Sequence, residues 1–206
     1  MGLCGVERFF HERFVREYDR FVAPFERAAF REARARIAAS ARGRVLDIGA
    51  GTGANFAYFT AADTVTAIDP EPRMLAQSTE RALASRAPVA LAVADGELLP
   101  FPSQTFDTVV ATLVLCTIPS ARRALSEIRR VLKPGGRLLA LEHVRSTSRA
   151  LAALQTVATP VQRIIAGGCE LDRDTVAEVI TAHFTIQNLR RRFAGALVEI
   201  DALRED

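Results

Sequence analysis

The feature that most constrains the fold is a short, largely apolar segment that runs directly into a glycine-rich turn. Residues 45–48 are followed by Gly49, Gly51 and Gly53. A segment of this length bounded by glycine predicts a buried strand. Glycines at alternate positions permit a tight turn and let backbone amides approach a ligand closely. The segment therefore predicts a nucleotide-binding unit of strand, turn and helix, with a tight turn that binds no ligand as the alternative.

The glycines alone do not identify the ligand, because Gly49, Gly51 and Ala54 also satisfy the dinucleotide pattern G-x-G-x-x-A. Asp47 lies two residues before the first glycine. A carboxylate there repels a pyrophosphate and attracts an amino group, so it favours the methionine part of S-adenosylmethionine over NAD. A turn or N-cap carboxylate is the alternative for Asp47. Asp69 ends the next predicted strand and suits the ribose hydroxyls of either ligand.

Short apolar runs alternate with amphipathic segments from residue 44 onward. This alternation is typical of a parallel sheet with crossover helices. We therefore predict an α/β fold: a Rossmann-like, mostly parallel seven-stranded sheet with helices on both faces, an N-terminal helical lid and an antiparallel C-terminal hairpin. The predicted strands cover 44–48, 64–68, 89–93, 107–112 and 137–143, and the hairpin pairs 184–189 with 194–200. The predicted helices cover 53–60, 71–85, 119–132 and 172–182, the last capped by Asp172, and an amphipathic stretch lies near 148–166.

The length of 206 residues suits one domain with a substantial core. Residues 1–40 have apolar positions at helical spacing and predict helices that form a lid or a flank. A row of phenylalanines at this spacing is more typical of core than of a substrate-binding surface. Within the single predicted domain 1–206, residues 41–145 form the cofactor-binding core and 146–206 the substrate-side helices and hairpin.

Composition and charge disfavour several function classes. The net charge is +3 and the arginines are dispersed, whereas a nucleic-acid partner requires a basic face. No window approaches the ~20 apolar residues of a membrane span. The three cysteines, at 4, 116 and 169, and the three histidines, at 11, 143 and 183, lack the chain spacing of metal ligands. We therefore expect a cytoplasmic protein without a metal site, nucleic-acid partner or membrane span; its oligomeric state is not predicted.

Three further segments resemble one family, in the order that family has them. They are the acidic loop 94–101, the strand 106–111 and the turn 132–137. With the glycine turn, they make residues 40–143 similar to the class I S-adenosylmethionine-dependent methyltransferases. In that family the aspartate of the acidic loop, here Asp95, receives the adenine amino group. The resemblance implies that S-adenosylmethionine binds, and S-adenosylhomocysteine leaves, at a site made by Asp47, Gly49, Ala50, Gly51, Gly53, Asn55, Asp69, Pro70, Met74, Asp95, Gly96, Glu97, Thr112 and Leu113.

Four short segments resemble a narrower group, the small methyltransferases related to the animal thiol S-methyltransferases of the methyltransferase-like-7 type. They cover 51–56, 112–116, 142–144 and 168–175. The resemblance implies a small-molecule methyl acceptor and suggests a thiol or another soft nucleophile. O-, N- or C-methylation of a natural product, quinone or phospholipid is an alternative. A methyltransferase-like protein that binds the cofactor without turnover is another.

The candidate catalytic residue is His143, at the carboxyl end of the fifth predicted strand. An imidazole titrates near neutrality, which suits a general base that deprotonates an acceptor. A histidine that only holds its neighbours by hydrogen bonds is the alternative. Cys116 and Cys169 are the substrate-side candidates, although a buried cysteine is more often a small apolar residue. Glu142 precedes His143 and either orients it or faces the cofactor.

Overall fold

In the computed structural model, residues 5–165 and 167–205 are described, with side chains from residue 12 onward in both ranges. The strands are β1 Gly43–Ile48, β2 Ala62–Asp69, β3 Val89–Val93, β4 Phe106–Thr112, β5 Leu132–His143, β6 Phe184–Arg192 and β7 Leu197–Arg204. The α-helices are α1 Gly5–Phe25, α2 Arg31–Ser40, α3 Pro72–Leu83, α4 Ala121–Val131, α5 Arg149–Ile165 and α6 Thr175–Thr181. A π-helical turn, Glu26–Phe30, joins α1 to α2.

The strands of the described chain form one seven-stranded sheet in the order β3-β2-β1-β4-β5-β7-β6. The first five pair in parallel, whereas β7 runs antiparallel to β5 and to β6. The connections reverse direction between β1 and β4. At such a switch point a crevice opens beyond the carboxyl ends of the strands, and open α/β sheets bind ligands there. The predicted fold class, including the terminal hairpin, is confirmed.

Alternate side chains of the strands enter two apolar cores, one on each face of the sheet. Leu46, Val109 and Leu138 face a core that also contains α4 and α6 side chains. Their neighbours Val45 and Val110 face the other core, which α2 covers. This alternation follows from the two-residue period of a strand. The central strands are therefore covered on both sides, and only their ends are free to contribute polar groups to a site.

The predicted helix at 53–60 is wrong. Only Phe56–Tyr58 is helical, as a single 3₁₀ turn, and the preceding residues form turns. Gly51 and Gly53 have positive φ values of 55° and 81°, which do not belong to a right-handed helix. The Phe56 amide donates to the Gly53 carbonyl at 3.1 Å, three residues earlier. This is the spacing of a 3₁₀ turn, whereas an α-helix has bonds between residues four apart. The glycine turn is therefore extended by an irregular segment, with the Phe56 side chain buried beneath it.

The predicted cap of the last helix is also wrong. α6 begins at Thr175, and its N-cap is Asp174, whose side chain accepts a hydrogen bond from the amide of Ala177. Asp172 instead accepts hydrogen bonds from the hydroxyls of two α5 threonines, at 2.9 and 3.1 Å. Both aspartates are good N-cap residues, so the sequence did not decide between them.

The N-terminal helices form a lid that contacts the glycine turn. The Asp19 carboxylate of α1 accepts a hydrogen bond from the Thr52 hydroxyl at 2.6 Å. It also pairs with Arg81 of α3 at 2.5 Å. α1 further contacts α5. Among the described residues, no helix combines the length and apolar character needed to cross a membrane.

Candidate active site

The glycine turn at the end of β1 is fixed by backbone geometry that other residues adopt only with strain. Gly49 has a φ of 64°, and a Cβ there would lie 2.3 Å from a methyl carbon of Val114. Gly51 has a φ of 55°, and a Cβ there would meet the end of the Met74 side chain at 3.4 Å and the Gly49 carbonyl oxygen at 4.0 Å. The amide of Ala50 donates to Ile68 of β2 at 2.9 Å. The turn thus holds a bare stretch of backbone at the switch point of the sheet.

Asp47 is a buried carboxylate with one unused oxygen. The residue is fully buried, and its Oδ1 accepts a hydrogen bond from the Asn55 amide at 2.7 Å. Its Oδ2 is buried and has no hydrogen-bond partner among the described residues. Burial raises the pKa of Asp47 to about 7. An orphaned anionic oxygen beside the glycine turn fits a cationic ligand group, such as an ammonium, and disfavours a phosphate.

Asp69, at the carboxyl end of β2, connects two backbone turns. Its carboxylate accepts hydrogen bonds from the amide of Gly51 at 3.0 Å and from the amide of Glu71 at 2.9 Å. Burial raises the pKa of Asp69 from its ordinary value. The side chain therefore shapes the glycine turn, and its remaining lone pairs suit the ribose role that the sequence suggested.

The other predicted cofactor residues lie on loops that follow the strands. The exposed Asp95 accepts a hydrogen bond from the Glu97 amide at 2.8 Å, and Gly96 is buried. Leu113 has a φ of 58° and donates its amide to Leu141 of β5 at 2.7 Å. Met74 is buried in α3, whereas Pro70 is exposed. The acidic groups at the ends of β1 and β2 and after β3 thus follow three adjacent strands of the sheet.

Arg34 contacts two of the predicted cofactor residues and was missed in the sequence. Its Nη1 donates hydrogen bonds of 2.8 Å to Asn55 Oδ1 and to Thr112 Oγ1. Its Nε donates to Glu26 at 3.0 Å. A signal was present: Arg34 lies four residues after Phe30 and three before Ile37, on the apolar face of α2. A charged residue at a core position of a helix indicates a buried partner.

A cleft of about 490 Å³ lies between the lid and the glycine turn. Of the predicted cofactor residues in the described part of the chain, Gly53 alone lines it. The cleft therefore extends from the turn toward the N-terminal helices rather than over the acidic strand ends. Its polar lining includes Tyr18, Glu26, Arg34 and Arg81.

The three side chains predicted for catalysis and the substrate side come together in the fold. The sulfurs of Cys116 and Cys169 lie 3.6 Å apart. The Cys169 sulfur lies 3.8 Å from Nδ1 of His143. One face of this cluster is apolar: Phe14 packs against the cysteines, and the Phe30 ring lies edge to face with His143 at 5.6 Å. We call Cys116, Cys169 and His143 the thiol–imidazole cluster.

The two cysteines are electrostatically unequal. The hydrogen bond between the two cysteine side chains and the contact with His143 lower the pKa of Cys169 to about 5. The hydrogen bond to Cys169 and complete burial raise the pKa of Cys116 well above its usual value. Cys169 is therefore the more acidic of the two thiols.

Glu142 holds the loop that carries Cys116. Its buried carboxylate accepts hydrogen bonds from the amides of Val114, Leu115 and Cys116, at 3.0 to 3.1 Å. Burial raises the pKa of Glu142 to about 7. The two roles considered from the sequence were orienting His143 and facing the cofactor. The hydrogen bonds instead give Glu142 a third role, which is to fix the backbone after β4.

The open parallel sheet, the left-handed glycine turn and the acidic strand ends define a nucleotide-binding protein of the Rossmann-like class. Residues 46–140 match the family described as a methyltransferase domain. The chain is 31% identical over 205 residues to the human thiol S-methyltransferase TMT1A, covering 92% of this chain and 81% of the relative. It is 38% identical over 145 residues to the thiol S-methyltransferase TMT1B of Rattus norvegicus. That match covers 68% of this chain but only 59% of the rat relative's length.

A solved structure shows the same fold. An S-adenosylmethionine-dependent methyltransferase from Thermotoga maritima superposes with a TM-score of 0.71 at 21% identity. The match covers 97% of this chain and all of that one. With the sequence similarities, the chain belongs to the class I S-adenosylmethionine-dependent methyltransferases.

Proposed function

We propose that this methyltransferase transfers the methyl group of S-adenosylmethionine to a small thiol. The observation that carries the choice of acceptor is the similarity to a human thiol S-methyltransferase over 92% of the chain. The geometry of the site supports the choice of cofactor. The orphaned Asp47 oxygen and the bare glycine turn suit a zwitterionic ligand better than a pyrophosphate.

Each acidic side chain has a separate role in holding the cofactor. Asp47 pairs with the amino group of the methionine part, and Asp69 accepts hydrogen bonds from the ribose hydroxyls. Asp95 receives the adenine amino group. Arg34 keeps Asn55 and Thr112 in place through its two 2.8 Å hydrogen bonds. When bound, S-adenosylmethionine supplies an electrophilic methyl group.

The protein aligns the acceptor with the methyl group and shields the acceptor site from water. Leu113, Val114 and Cys116 form one rigid loop after β4, because Glu142 holds three of its amides. This loop joins the predicted cofactor residues to the thiol–imidazole cluster. Holding the two reactants in line can supply about 7–11 kcal/mol of the barrier. We place the acceptor sulfur beside the cluster, under the α1 lid.

A labelled-methyl assay tests the proposal. The full chain is incubated with labelled S-adenosylmethionine and, separately, with an alkyl thiol, a phenol, a quinol and an amine. We expect labelled thioether from the thiol and little label in the other three. The Asp47→Asn variant removes the cofactor's counter-charge and should lose at least about tenfold in turnover at subsaturating cofactor. The matched control Asp63→Asn, exposed at the start of β2, should keep full turnover.

The outcomes separate the two parts of the proposal. Label that enters only the phenol, quinol or amine would refute the thiol acceptor while leaving methyl transfer in place. No label in any product, from protein that binds the cofactor, would refute catalysis and favour a cofactor-binding protein without turnover.

A further inference from the structure

The thiol–imidazole cluster has the composition and size of a three-ligand metal site. The ligand atoms of Cys116, Cys169 and His143 all lie within 4.8 Å of one another. Two cysteines and one histidine are a known ligand set of catalytic zinc, which leaves the fourth position open. We propose that Cys116, Cys169 and His143 bind a zinc ion whose fourth position receives the acceptor thiol.

The distances agree with a tetrahedral ion. With bonds of about 2.3 Å to sulfur and 2.0–2.1 Å to nitrogen, the tetrahedron has a sulfur–sulfur edge of about 3.8 Å and a sulfur–nitrogen edge of about 3.6 Å. The observed separations are 3.6 Å between the two sulfurs and 3.8 Å between the Cys169 sulfur and His143 Nδ1. The third pair, the Cys116 sulfur and a ring nitrogen of His143, lies within 4.8 Å, so an ion fits between the three side chains once these two atoms move closer together.

The backbone around the cluster is fixed from several directions, as a metal site requires. Besides the three bonds to Glu142, the Cys116 carbonyl accepts a hydrogen bond from the Glu170 amide at 2.8 Å, which ties the two cysteine segments together. Arg173 donates to the carbonyls of Leu115 and Ile118 at 2.6 and 2.7 Å. Ligands held by such supporting bonds lose little entropy when the ion binds.

The charge of the proposed site suits its surroundings. Two thiolates and a neutral imidazole around a divalent ion carry no net charge. Phe14, Phe30 and Leu171 line one face of the site, and the buried Glu142 carboxylate lies against Cys116 on another. Burying a neutral complex there costs far less than burying a free charge. Soft sulfur ligands select zinc over magnesium or calcium. The cysteines lie 53 residues apart along the chain, and for this reason their spacing gave no metal signal in the sequence.

The open position gives the ion a role that rests on the proposed thiol acceptor. When a thiol binds there, its S–H bond breaks, a sulfur–zinc bond forms, and the proton leaves to solvent. The acceptor is then held as a thiolate at neutral pH, since coordination to a metal deprotonates a thiol. In this arrangement His143 acts as a ligand and not as the general base that the sequence suggested.

Cobalt binding tests the site without any methyl transfer. The full chain is reduced with a phosphine, freed of metal and titrated with Co²⁺, whose absorption bands report thiolate ligands and tetrahedral geometry. We expect one Co²⁺ per chain with both signatures, and displacement by Zn²⁺. Addition of 2-mercaptoethanol should then increase the thiolate-to-metal band, because a third sulfur enters the open position.

Matched variants assign the ligands. Cys116→Ser and Cys169→Ser should each weaken Co²⁺ binding by at least about tenfold and reduce the thiolate band, since even second-shell changes cost 10–100-fold. Cys4→Ser should leave the spectrum unchanged. His143→Asn should lose the tetrahedral signature, whereas His183→Asn should not. Thermal unfolding of each variant checks that it is folded.

Three results would overturn the inference. One is the absence of a thiolate band when both thiols are shown to be free by titration. Another is the same band in the Cys116→Ser/Cys169→Ser double variant. The third is a cobalt spectrum that 2-mercaptoethanol does not change, which would refute the open position. A thiol-responsive cobalt site in a protein that methylates no thiol would leave the metal site standing and refute the proposed acceptor instead.

Discussion

Asp47 is unfavourable for folding of the ligand-free chain and, in the proposed function, favourable for cofactor binding. The carboxylate is removed from water at the end of β1, and only one of its oxygens has a partner. Burial raises its pKa from 3.8 to about 7. The folded chain therefore retains a proton that the unfolded chain has lost between about pH 4 and 7, and the stability of the ligand-free protein falls across that range. A cationic ligand group reverses this cost.

Replacement of Asp47 by Asn should separate the two effects. Without a carboxylate to ionise, the variant should unfold at a higher temperature than the wild type at pH 8. Its affinity for S-adenosylhomocysteine should fall by about tenfold or more at pH 8, because an amide offers no charge to the ammonium. Thermal scans of the ligand-free protein and calorimetric titrations measure the two quantities.

The pH dependence of the affinity for S-adenosylhomocysteine shows whether the Asp47 carboxylate is responsible. Wild-type affinity should rise by about tenfold from pH 6 to pH 8, as the ionised fraction of a group with a pKa near 7 increases. Asp47→Asn should show a flat profile, and the exposed Asp63→Asn should follow the wild type. An equal slope in Asp47→Asn would show that another group carries the dependence.

At the level of elements, α2 is joined to the candidate site through the side chain of Arg34. The Arg34 side chain is 5% exposed and pairs with Glu26 of the preceding π-helical turn, while its other end holds Asn55 and Thr112. The residue thus joins the lid, the glycine turn and β4. Removing one member of a buried pair leaves an uncompensated charge, which is strongly destabilising.

Arg34→Ala should lower the free energy of unfolding by about 3 kcal/mol, at the lower end of the range for a buried pair because Glu26 is partly exposed. It should also weaken S-adenosylhomocysteine binding, since Asn55 and Thr112 lose their common donor. Denaturant unfolding and calorimetry measure these losses. Arg31→Ala, exposed on the same helix, should stay within about 0.5 kcal/mol of the wild type. Equal stability of the two variants would contradict the role of Arg34.

The sequence predicted the sheet well because its signal is local. Each apolar run lies between turn residues, and the five parallel strands and the first hairpin strand fall where these runs are. The second hairpin strand was predicted at 194–200 but begins at Leu197, because Phe193, Ala194 and Gly195 have positive φ values and form the turn. The failure at 53–60 came from applying helix periodicity to residues that follow two left-handed glycines. At the start of α6, Asp172 was predicted as the N-cap and Asp174 occupies that position, because both aspartates are equally good N-cap residues.

The local nature of the sequence signal also explains why one part of the candidate site was predicted as a unit and the other only as single residues. Asp47, Asp69 and the glycines lie within a single strand–turn unit and its neighbour, so local pattern was enough to select them. The thiol–imidazole cluster is assembled from the segments after β4, at the end of β5 and after α5. Its members lie 26 and 53 residues apart along the chain, and contacts between such distant residues produce no periodic pattern in a single sequence. The sequence selected its three members singly and gave no sign that they meet.

At the scale of the whole molecule, the parallel strands bring distant segments to one edge. The strand order places β1 beside β2 and β4, and β5 beside β4, so the acidic residues predicted to bind the cofactor and the thiol–imidazole cluster follow adjacent strands. The α1 lid contacts the glycine turn through Asp19 and the cluster through Phe14. In the proposed function, the methyl donor and the methyl acceptor are therefore neighbours in one site that α1 covers.

Titration calorimetry of the full chain with S-adenosylhomocysteine decides whether the glycine turn and its acidic neighbours bind this cofactor. We expect one saturable site per chain, with affinity reduced in Asp47→Asn and no comparable heat from NADH. Saturable binding of NADH, with no heat from either S-adenosylhomocysteine or S-adenosylmethionine, would contradict it.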